Sequence, residues 1–332
     1  MVVGAAARRI RRPPPRIDQD RDRMMRAPRR YVVTGIRGQV AQSLLENANR
    51  RSDVEIIPLG RPELDLAAPE TIAATVQAAR PDLIVSAAAF TGVDLAETDA
   101  ATAISINATG PGELARVAAT LRVPIVHLST DYVFDGSKPS PYGESDPVAP
   151  LGVYGRSKLM GEQNVAAATE DYAILRTAWI YSPFSRNFLR TMLKSAETKE
   201  EVRIVDDQIG NPTSAIDIAG AIIAVGQNLL ASNDPALRGI FHMAGTGAAS
   251  WADFADEIFK ISAANGGPSA QVIRIPTSDY PTPARRPANS QLDCSRLHQR
   301  HGIVMPDWRA STGYVVRRVL QSADFENRKF GE

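Results

Sequence analysis

Residues 124–158 read PIVHLSTDYVFDGSKPSPYGESDPVAPLGVYGRSK, and the fold follows from how that stretch begins and ends. It opens on PIVHL, a short apolar run of the length and composition of a buried strand. The run ends at Ser129-Thr130-Asp131, crosses a loop rich in Pro, Gly and Asp, and enters a helix at Tyr154-Gly155-Arg156-Ser157-Lys158. Tyr154 and Lys158 are four residues apart and so share one helix face. A free tyrosine titrates at about 10, and an ammonium held beside it favours the phenolate and lowers that value. The hydroxyl of Thr130, or of Ser129, stands at the strand end facing the same space. Hydroxyl, phenol and ammonium together can deliver a proton to a carbonyl that is being reduced. An isolated Tyr-x-x-x-Lys would equally suit a surface helix with a partly buried tyrosine, so the meaning lies in what surrounds it.

Upstream, Tyr31-Val32-Val33-Thr34 forms a first strand, and Gly35-Ile36-Arg37-Gly38-Gln39-Val40-Ala41 turns into a helix ending near Arg50. This is a dinucleotide fingerprint with Ala41 at the third glycine position. The first two glycines permit the turn and let the backbone approach a pyrophosphate on the helix N-terminus. The third position packs helix on strand, and alanine is the smallest replacement. Strands at 54–60, 82–88 and 172–181 alternate with helices at 69–79, 96–121 and 154–168. Strands separated by helices of that length predict parallel βαβ units, hence an α/β fold with a Rossmann-type doubly wound parallel sheet. Ser86-Ala87-Ala88-Ala89 closes the third strand, where small side chains leave room for a ligand at the carboxyl ends of the strands. Asn107 is polar where the helix should face the core.

Past residue 181 the alternation weakens. A helix from Asn187, the segment 202–214, a helix to 230, a strand at 239–245, a helix at 250–262, a Pro-rich stretch at 272–293 and a last helix at 313–323 suggest a smaller lobe capping the sheet. The expected division is therefore an Arg/Pro-rich disordered extension (1–28), a dinucleotide-binding domain (29–180), a smaller substrate lobe interleaved with it (181–325) and a tail (326–332). No signal-peptide h-region follows the early arginines. The extension reads as solvated chain, with Met24 or Met25 as an alternative start. The interspersed aspartates weaken its reading as a nucleic-acid arm or targeting segment.

Composition narrows the function. The net charge of +1 hides an asymmetry: residues 1–30 carry ten arginines and three aspartates, leaving 28 basic and 34 acidic side chains over 31–332. A mildly acidic body argues against nucleic acid as partner. No apolar run approaches the roughly 18 residues that would span a membrane. A lone cysteine, Cys294, permits no internal disulfide and suits a reducing, cytoplasmic setting. His127, His242, His298 and His301 have no metal-ligand spacing.

The strand ending in Ser-Thr, followed by Tyr-x-x-x-Lys and preceded by a glycine-rich strand–helix turn, resembles the extended short-chain dehydrogenase/reductases. Within them the chain from Tyr31 to about Ala323 resembles the dTDP-4-dehydrorhamnose reductase family. The motifs fall in order: GxxGQV at Gly35, SAAAFTGVDLAE (86–97), SINAT (105–109), LSTDYVFDG (128–136), VYGRSKLMGE (153–162), RTAWIYS (176–182), NF (187–188), DDQIGNPT (206–213) and PTPARRPANSQL (281–292). Related 4,6-dehydratases look like Ser-Thr-Asp-Glu-Val-Tyr-Gly at this strand end. Here Asp131-Tyr132-Val133-Phe134 lacks the glutamate used in elimination, which leaves keto reduction.

The resemblance implies NAD(P)H-dependent reduction of the C4 keto group of dTDP-4-dehydro-β-L-rhamnose, the last step of dTDP-L-rhamnose synthesis. It makes Tyr154 the proton donor, Lys158 the residue that binds the nicotinamide ribose and lowers the tyrosine pKa, and Thr130 the partner of the C4 oxygen. Asp131 would meet a neighbouring hydroxyl, Trp179 would lie beside the sugar, and Asn187 would join the substrate site. Cofactor contacts fall on Gly35, Gly38, Gln39, Val40, Asp65, Leu66, Ala87, Ala88 and Ala89. Arg286, among prolines, could pair with the diphosphate or form a salt bridge; arginine offers phosphate bidentate bonds. Some family members dimerise through a magnesium site with a glutamate in the first helix. Ser43 occupies that position, so no such metal is expected, and a homodimer remains one permitted assembly. NADPH is favoured over NADH, which remains possible: the second strand runs into Gly60-Arg61 with no acid at its end, and Arg61 and Arg37 are placed to bind a 2′-phosphate. Two alternatives stay open: a related reductase or epimerase for another nucleotide sugar, and a non-catalytic NADP-binding regulatory subunit. The second would need none of Thr130, Tyr154 and Lys158.

Overall fold

A computed structural model describes residues 27–322; most of the expected extension (1–28) and the tail (326–332) lie outside the described residues. The longer strands are β1 (Arg29–Thr34), β2 (Val54–Leu59), β3 (Leu83–Ser86), β4 (Ile125–Thr130), β5 (Tyr172–Thr177), β6 (Glu201–Val205), β7 (Gly239–His242) and β8 (Gln271–Ile275). The longer helices are α1 (Gln39–Ala48), α2 (Ile72–Ala79), α3 (Gly110–Leu121), α4 (Val153–Ala168), α5 (Phe188–Ala196), α6 (Ala215–Ala231), α7 (Trp251–Ala264) and α8 (Trp308–Leu320). Six strands form one sheet in the order β7-β5-β4-β3-β1-β2, every pair parallel.

The short apolar runs form this sheet because both of its faces are covered. Successive residues alternate between two cores: Tyr31, Val33, Leu83 and Val85 pack with Leu44, Ile218 and Ile222, whereas Val32 and Ile84 pack with Ile72, Val76, Leu114 and Val165. Helices α1 and α6 therefore cover one face, and α2, α3 and α4 the other. The chain leaves β1 toward β2 and returns to the opposite side at β3. The crevice outside the carboxyl ends of β1 and β3 is the switch point where such sheets bind ligands.

Beyond residue 180 the chain re-enters this body. Ile218 and Ile222 of α6 and Phe241 of β7 belong to the sheet's core. A second cluster, where the smaller lobe is expected, gathers α5, α7, α8 and the parallel pair β6–β8 around Leu189, Phe254, Trp308 and Tyr181.

Four expected elements differ. The helix expected over 96–121 is broken into Val93–Ala96, Ala100–Ile104, a wider π turn at Ser105–Thr109, and α3. Pro111 has no N–H for the carbonyl of Asn107 and its ring would crowd that oxygen, so the turn opens there. The strand expected over 172–181 stops at Thr177, because Trp179 adopts a left-handed φ of 45°; Ile180–Tyr181 then pairs with Thr213–Ser214. The last helix starts earlier than 313, where the Asp307 carboxylate accepts from the Arg309 N–H at 2.8 Å and caps α8. The stretch at 272–293, given above only as Pro-rich, opens with a strand, β8, over Gln271–Ile275.

Candidate active site

The glycine-rich turn after β1 opens on a cleft of about 730 Å³, within the size range of small-molecule sites. Gly35 holds φ +96°, a conformation glycine adopts without penalty. Helix α1 begins at Gln39 with no side chain capping it, and a Cβ on Gly38 would meet open space. Its first N–H groups thus face the cleft as free donors, the arrangement that receives an anionic phosphate. The Thr34 hydroxyl accepts the N–H groups of Ala87 and Ala88 at 3.0 Å each, which fixes the end of β3 against the turn. Gly35, Arg37, Gly38, Gln39, Val40, Arg61, Asp65, Leu66, Ala87, Ala88 and Ala89 all line the cleft. An uncapped helix N-terminus, a positive-φ glycine and a floor of alanines fit a dinucleotide. Ala41 is buried in the core, as its packing role requires. Ser43 is also buried, its hydroxyl donating to the Gln39 carbonyl at 2.8 Å.

Thr130, Tyr154 and Lys158, the residues expected to handle the proton, lie beyond this cleft's lining, at the end of β4 and on α4. Helix α4 is aimed from outside: Glu97 accepts the Val153 N–H at 2.7 Å, satisfying a donor at the helix end that carries Tyr154. Asn107 holds the same helix laterally, donating to the Ser157 hydroxyl at 3.0 Å and clamping Phe90 through both its N–H and its carbonyl. Gly155 and Gly161 permit the close packing, since a Cβ would fall 2.2 Å from the Tyr132 carbonyl oxygen and 2.1 Å from that of Asn107.

Burial pushes the Tyr154 phenol up to about 12; contact with the Thr130 hydroxyl lowers it and the charge of Asp131 raises it. Lys158 is buried, its ammonium donating to the Leu128 carbonyl at 2.6 Å. Burial pulls its pKa down to about 8, and the charge of Glu162 holds it up. The expectation that Lys158 lowers the tyrosine pKa is thus not what sets that pKa here: the ammonium is engaged with the strand, and desolvation of the phenol dominates. Asp131 is buried and pushed up to about 6, with hydroxyls of Ser290 and Thr130 opposing that rise; Thr130 donates to its carboxylate at 2.9 Å.

Ser129 is distinguished from Thr130 by its partner. It donates to Glu162 at 2.5 Å, and Glu162 in turn takes a bidentate pair from Arg176 at 2.8 and 2.7 Å. Both charged side chains are 3% exposed. Glu162 stands one helical turn after Lys158, a spacing readable from the sequence. Three residues expected at the substrate are engaged within the protein. Trp179 stacks on Trp251 with centroids 3.6 Å apart and covers Gly210, where a Cβ would sit 2.5 Å from its ring. Asn187 caps α5, accepting the Arg190 N–H at 3.2 Å and donating to the Ser182 carbonyl at 2.9 Å. Arg286 forms a salt bridge with Asp94 at 2.8 Å. Arg186, a cleft residue, was not singled out from the sequence, because it sits in the short loop between the motifs at 176–182 and 187–188 and belongs to neither.

One pH effect follows. With Tyr154 protonated up to about 12 and Lys158 losing its charge at about 8, kcat/KM should decline above pH 8 as the ammonium deprotonates, since kcat/KM reports groups of the free enzyme. A kcat/KM profile flat to pH 10 would contradict this assignment.

A phosphate-ready turn on one side of a strand end and a Thr–Tyr–Lys corner on the other make this a reductase of the extended short-chain type. The family model described as RmlD substrate binding domain matches residues 29–321. The dTDP-4-dehydrorhamnose reductase of Sinorhizobium fredii is 49% identical over 291 residues, covering 88% of this chain and 98% of that protein. Among solved structures, the dTDP-4-dehydrorhamnose reductase of Clostridium acetobutylicum superposes with a TM-score of 0.82 at 33% identity, covering 88% of this chain and all of that one. That of Bacillus anthracis, crystallised in complex with NADP, gives 0.81 at 33% identity, covering 88% and 99%. The chain belongs to this family, among the dTDP-4-dehydrorhamnose reductases.

Proposed function

We propose that the protein reduces the C4 keto group of dTDP-4-dehydro-β-L-rhamnose to give dTDP-β-L-rhamnose, the last step of dTDP-L-rhamnose biosynthesis, with NADPH as reductant. The observation that carries this reading is the strand end itself. Tyr132 occupies the position at which the dehydratases resemble one another in a glutamate, and its ring sits edge-on to Tyr154 at 5.8 Å. An aromatic ring cannot perform elimination, and the remaining groups suit proton delivery to an oxygen. When bound, the nicotinamide supplies hydride. Tyr154 donates its phenolic proton to the oxygen that becomes negative at C4, Thr130 turns its hydroxyl proton from Asp131 to that oxygen, and Asp131 accepts from an adjacent hydroxyl of the sugar. Lys158 keeps a positive charge at the site, which favours the phenolate left behind. Trp179, Asn187 and Arg286 belong to the substrate side of this proposal, with Arg286 reaching the diphosphate. The lone cysteine and a nucleotide-sugar substrate suit the cytoplasm; among the described residues no helix is long and apolar enough to cross a membrane.

The cofactor choice rests on the cleft rim. Arg37 and Arg61 are both exposed there, while the Asp65 carboxylate is turned to its own loop, accepting the Ala67 N–H at 2.9 Å. The expected result is NADPH oxidation on mixing with dTDP-4-dehydrorhamnose, with kcat/KM higher for NADPH than for NADH. Arg61→Ala should weaken NADPH selectively, more at low salt than at high. No oxidation sinks the reductase reading, and equal kcat/KM for the two cofactors sinks the role of the arginines.

A further inference from the structure

Beside Tyr154 the protein is nearly closed. The cavity lined by Tyr154, Tyr132, Val93, Leu151, Arg285 and Pro287 has a volume of about 10 Å³, room for about one water, whereas a nucleotide sugar needs several hundred. What closes it is the segment 279–287. Before it, the Thr277 N–H donates to Asp207 at 2.9 Å. After it, the Ile209 N–H donates to the Ala288 carbonyl and the Ser290 N–H to the Ile209 carbonyl at 2.8 Å each, while the Asn289 N–H and side chain donate to the carbonyls of Gly136 at 3.3 Å and Lys138 at 2.6 Å in the loop after β4. Its middle reaches across to the turn Val93–Ala96, where one residue holds it twice. The Asp94 carboxylate accepts the Ala284 N–H at 3.1 Å and the Arg286 guanidinium at 2.8 Å. Arg286 also donates to the Thr282 hydroxyl.

We propose that Asp94 and Arg286 form an exchangeable latch: their ion pair holds this segment across the entrance to Tyr154 until the diphosphate of a nucleotide sugar takes Arg286 from Asp94. The inference rests on the nucleotide-sugar reading above and assigns Asp94 a role in admitting substrate. The exposures decide which way the exchange runs. Arg286 is 21% exposed and Asp94 40%, so water reaches the pair mainly through the carboxylate, and Asp94 gains more of it when released. A diphosphate offers more negative charge and matches the guanidinium fork with two parallel bonds. Both ends stay fixed, the second on Ile209 and on the loop at Gly136 and Lys138, so only the middle of the segment moves when Arg286 re-pairs, and that movement opens the entrance and holds the phosphates. A free sugar, having no phosphate, leaves the latch shut, which makes the pair a determinant of specificity.

The test is calorimetric titration of the full chain with dTDP and, separately, with thymidine. Asp94→Asn keeps an acceptor for Ala284 but no charge for Arg286, so it should tighten dTDP severalfold. Arg286→Gln should weaken dTDP by about tenfold or more, the scale of a lost charge-assisted bond. Thymidine affinity should stay within about twofold of wild type in both variants. A purely structural salt bridge would shift dTDP affinity in the same direction for both variants; that result overturns the latch. So does equal weakening of thymidine and dTDP in Arg286→Gln, or a wild-type chain that does not bind dTDP. The reductase reading fails separately: opposite shifts in dTDP affinity without NADPH oxidation keep the latch and remove the reaction.

Discussion

Tyr154→Phe should lower kcat by about 10²–10⁴-fold, the usual contribution of a positioned general acid, while the folded state and cofactor affinity persist. The hydroxyl is the only atom lost. The ring keeps its edge contact with Tyr132 at 5.8 Å, and the cleft that fits the dinucleotide is not lined by Tyr154. The geometry explains why no neighbour substitutes well. Thr130 already donates its proton to Asp131, and Lys158 is fixed on the Leu128 carbonyl. Stopped-flow reduction with saturating NADPH measures the step; turnover within threefold of wild type would remove Tyr154 from the role of proton donor.

The largest stability effect is expected beneath the site, at Glu162→Gln. The Arg176–Glu162 pair is 3% exposed on both sides, and one further guanidinium nitrogen of Arg176 has no hydrogen-bond partner among the described residues. Neutralising Glu162 strands a buried positive charge, which typically costs about 3–5 kcal/mol, a large share of the roughly 5–15 kcal/mol that holds a domain folded. It also removes the charge that supports protonation of Lys158, so the alkaline decline in kcat/KM should move to lower pH. Denaturant midpoints check the first effect and the pH profile the second. Replacing both Glu162 and Arg176 by methionine should recover much of the stability, because an apolar pair leaves no orphaned charge, but should not restore the pH profile. A single Glu162→Gln variant as stable as wild type would contradict the account of the network.

Much of this was legible in the residues. Apolar runs of strand length alternating with helices predicted the doubly wound sheet, because burial on both faces leaves the same signature in every such strand. The cofactor cleft was legible because glycines and alanines report backbone approach and space directly. Thr130, Tyr154 and Lys158 were legible from spacing along one strand end and one helix. Spacing cannot show what a side chain pairs with across the fold. Asn187, expected at the substrate, also meets the Arg190 N–H at the start of α5, and Arg286, expected at the diphosphate, also pairs with Asp94, 192 positions away. The π turn escaped because Pro111 weakens a helix without marking whether it ends or widens. Glu97 was quoted only as the end of a motif, since capping a helix that starts 56 positions later leaves no local trace.

The central claim is that hydride is added at C4 and a proton at the oxygen of that carbon, with no change elsewhere in the sugar. Incubating the protein with dTDP-4-dehydrorhamnose and nicotinamide cofactor carrying deuterium at the transferable position, then locating the label in the product by NMR, tests it directly. The account predicts one deuterium at C4 of a dTDP-6-deoxysugar and none at C3 or C5. Solvent-derived label at C3 or C5, or product lacking deuterium at C4, would contradict it.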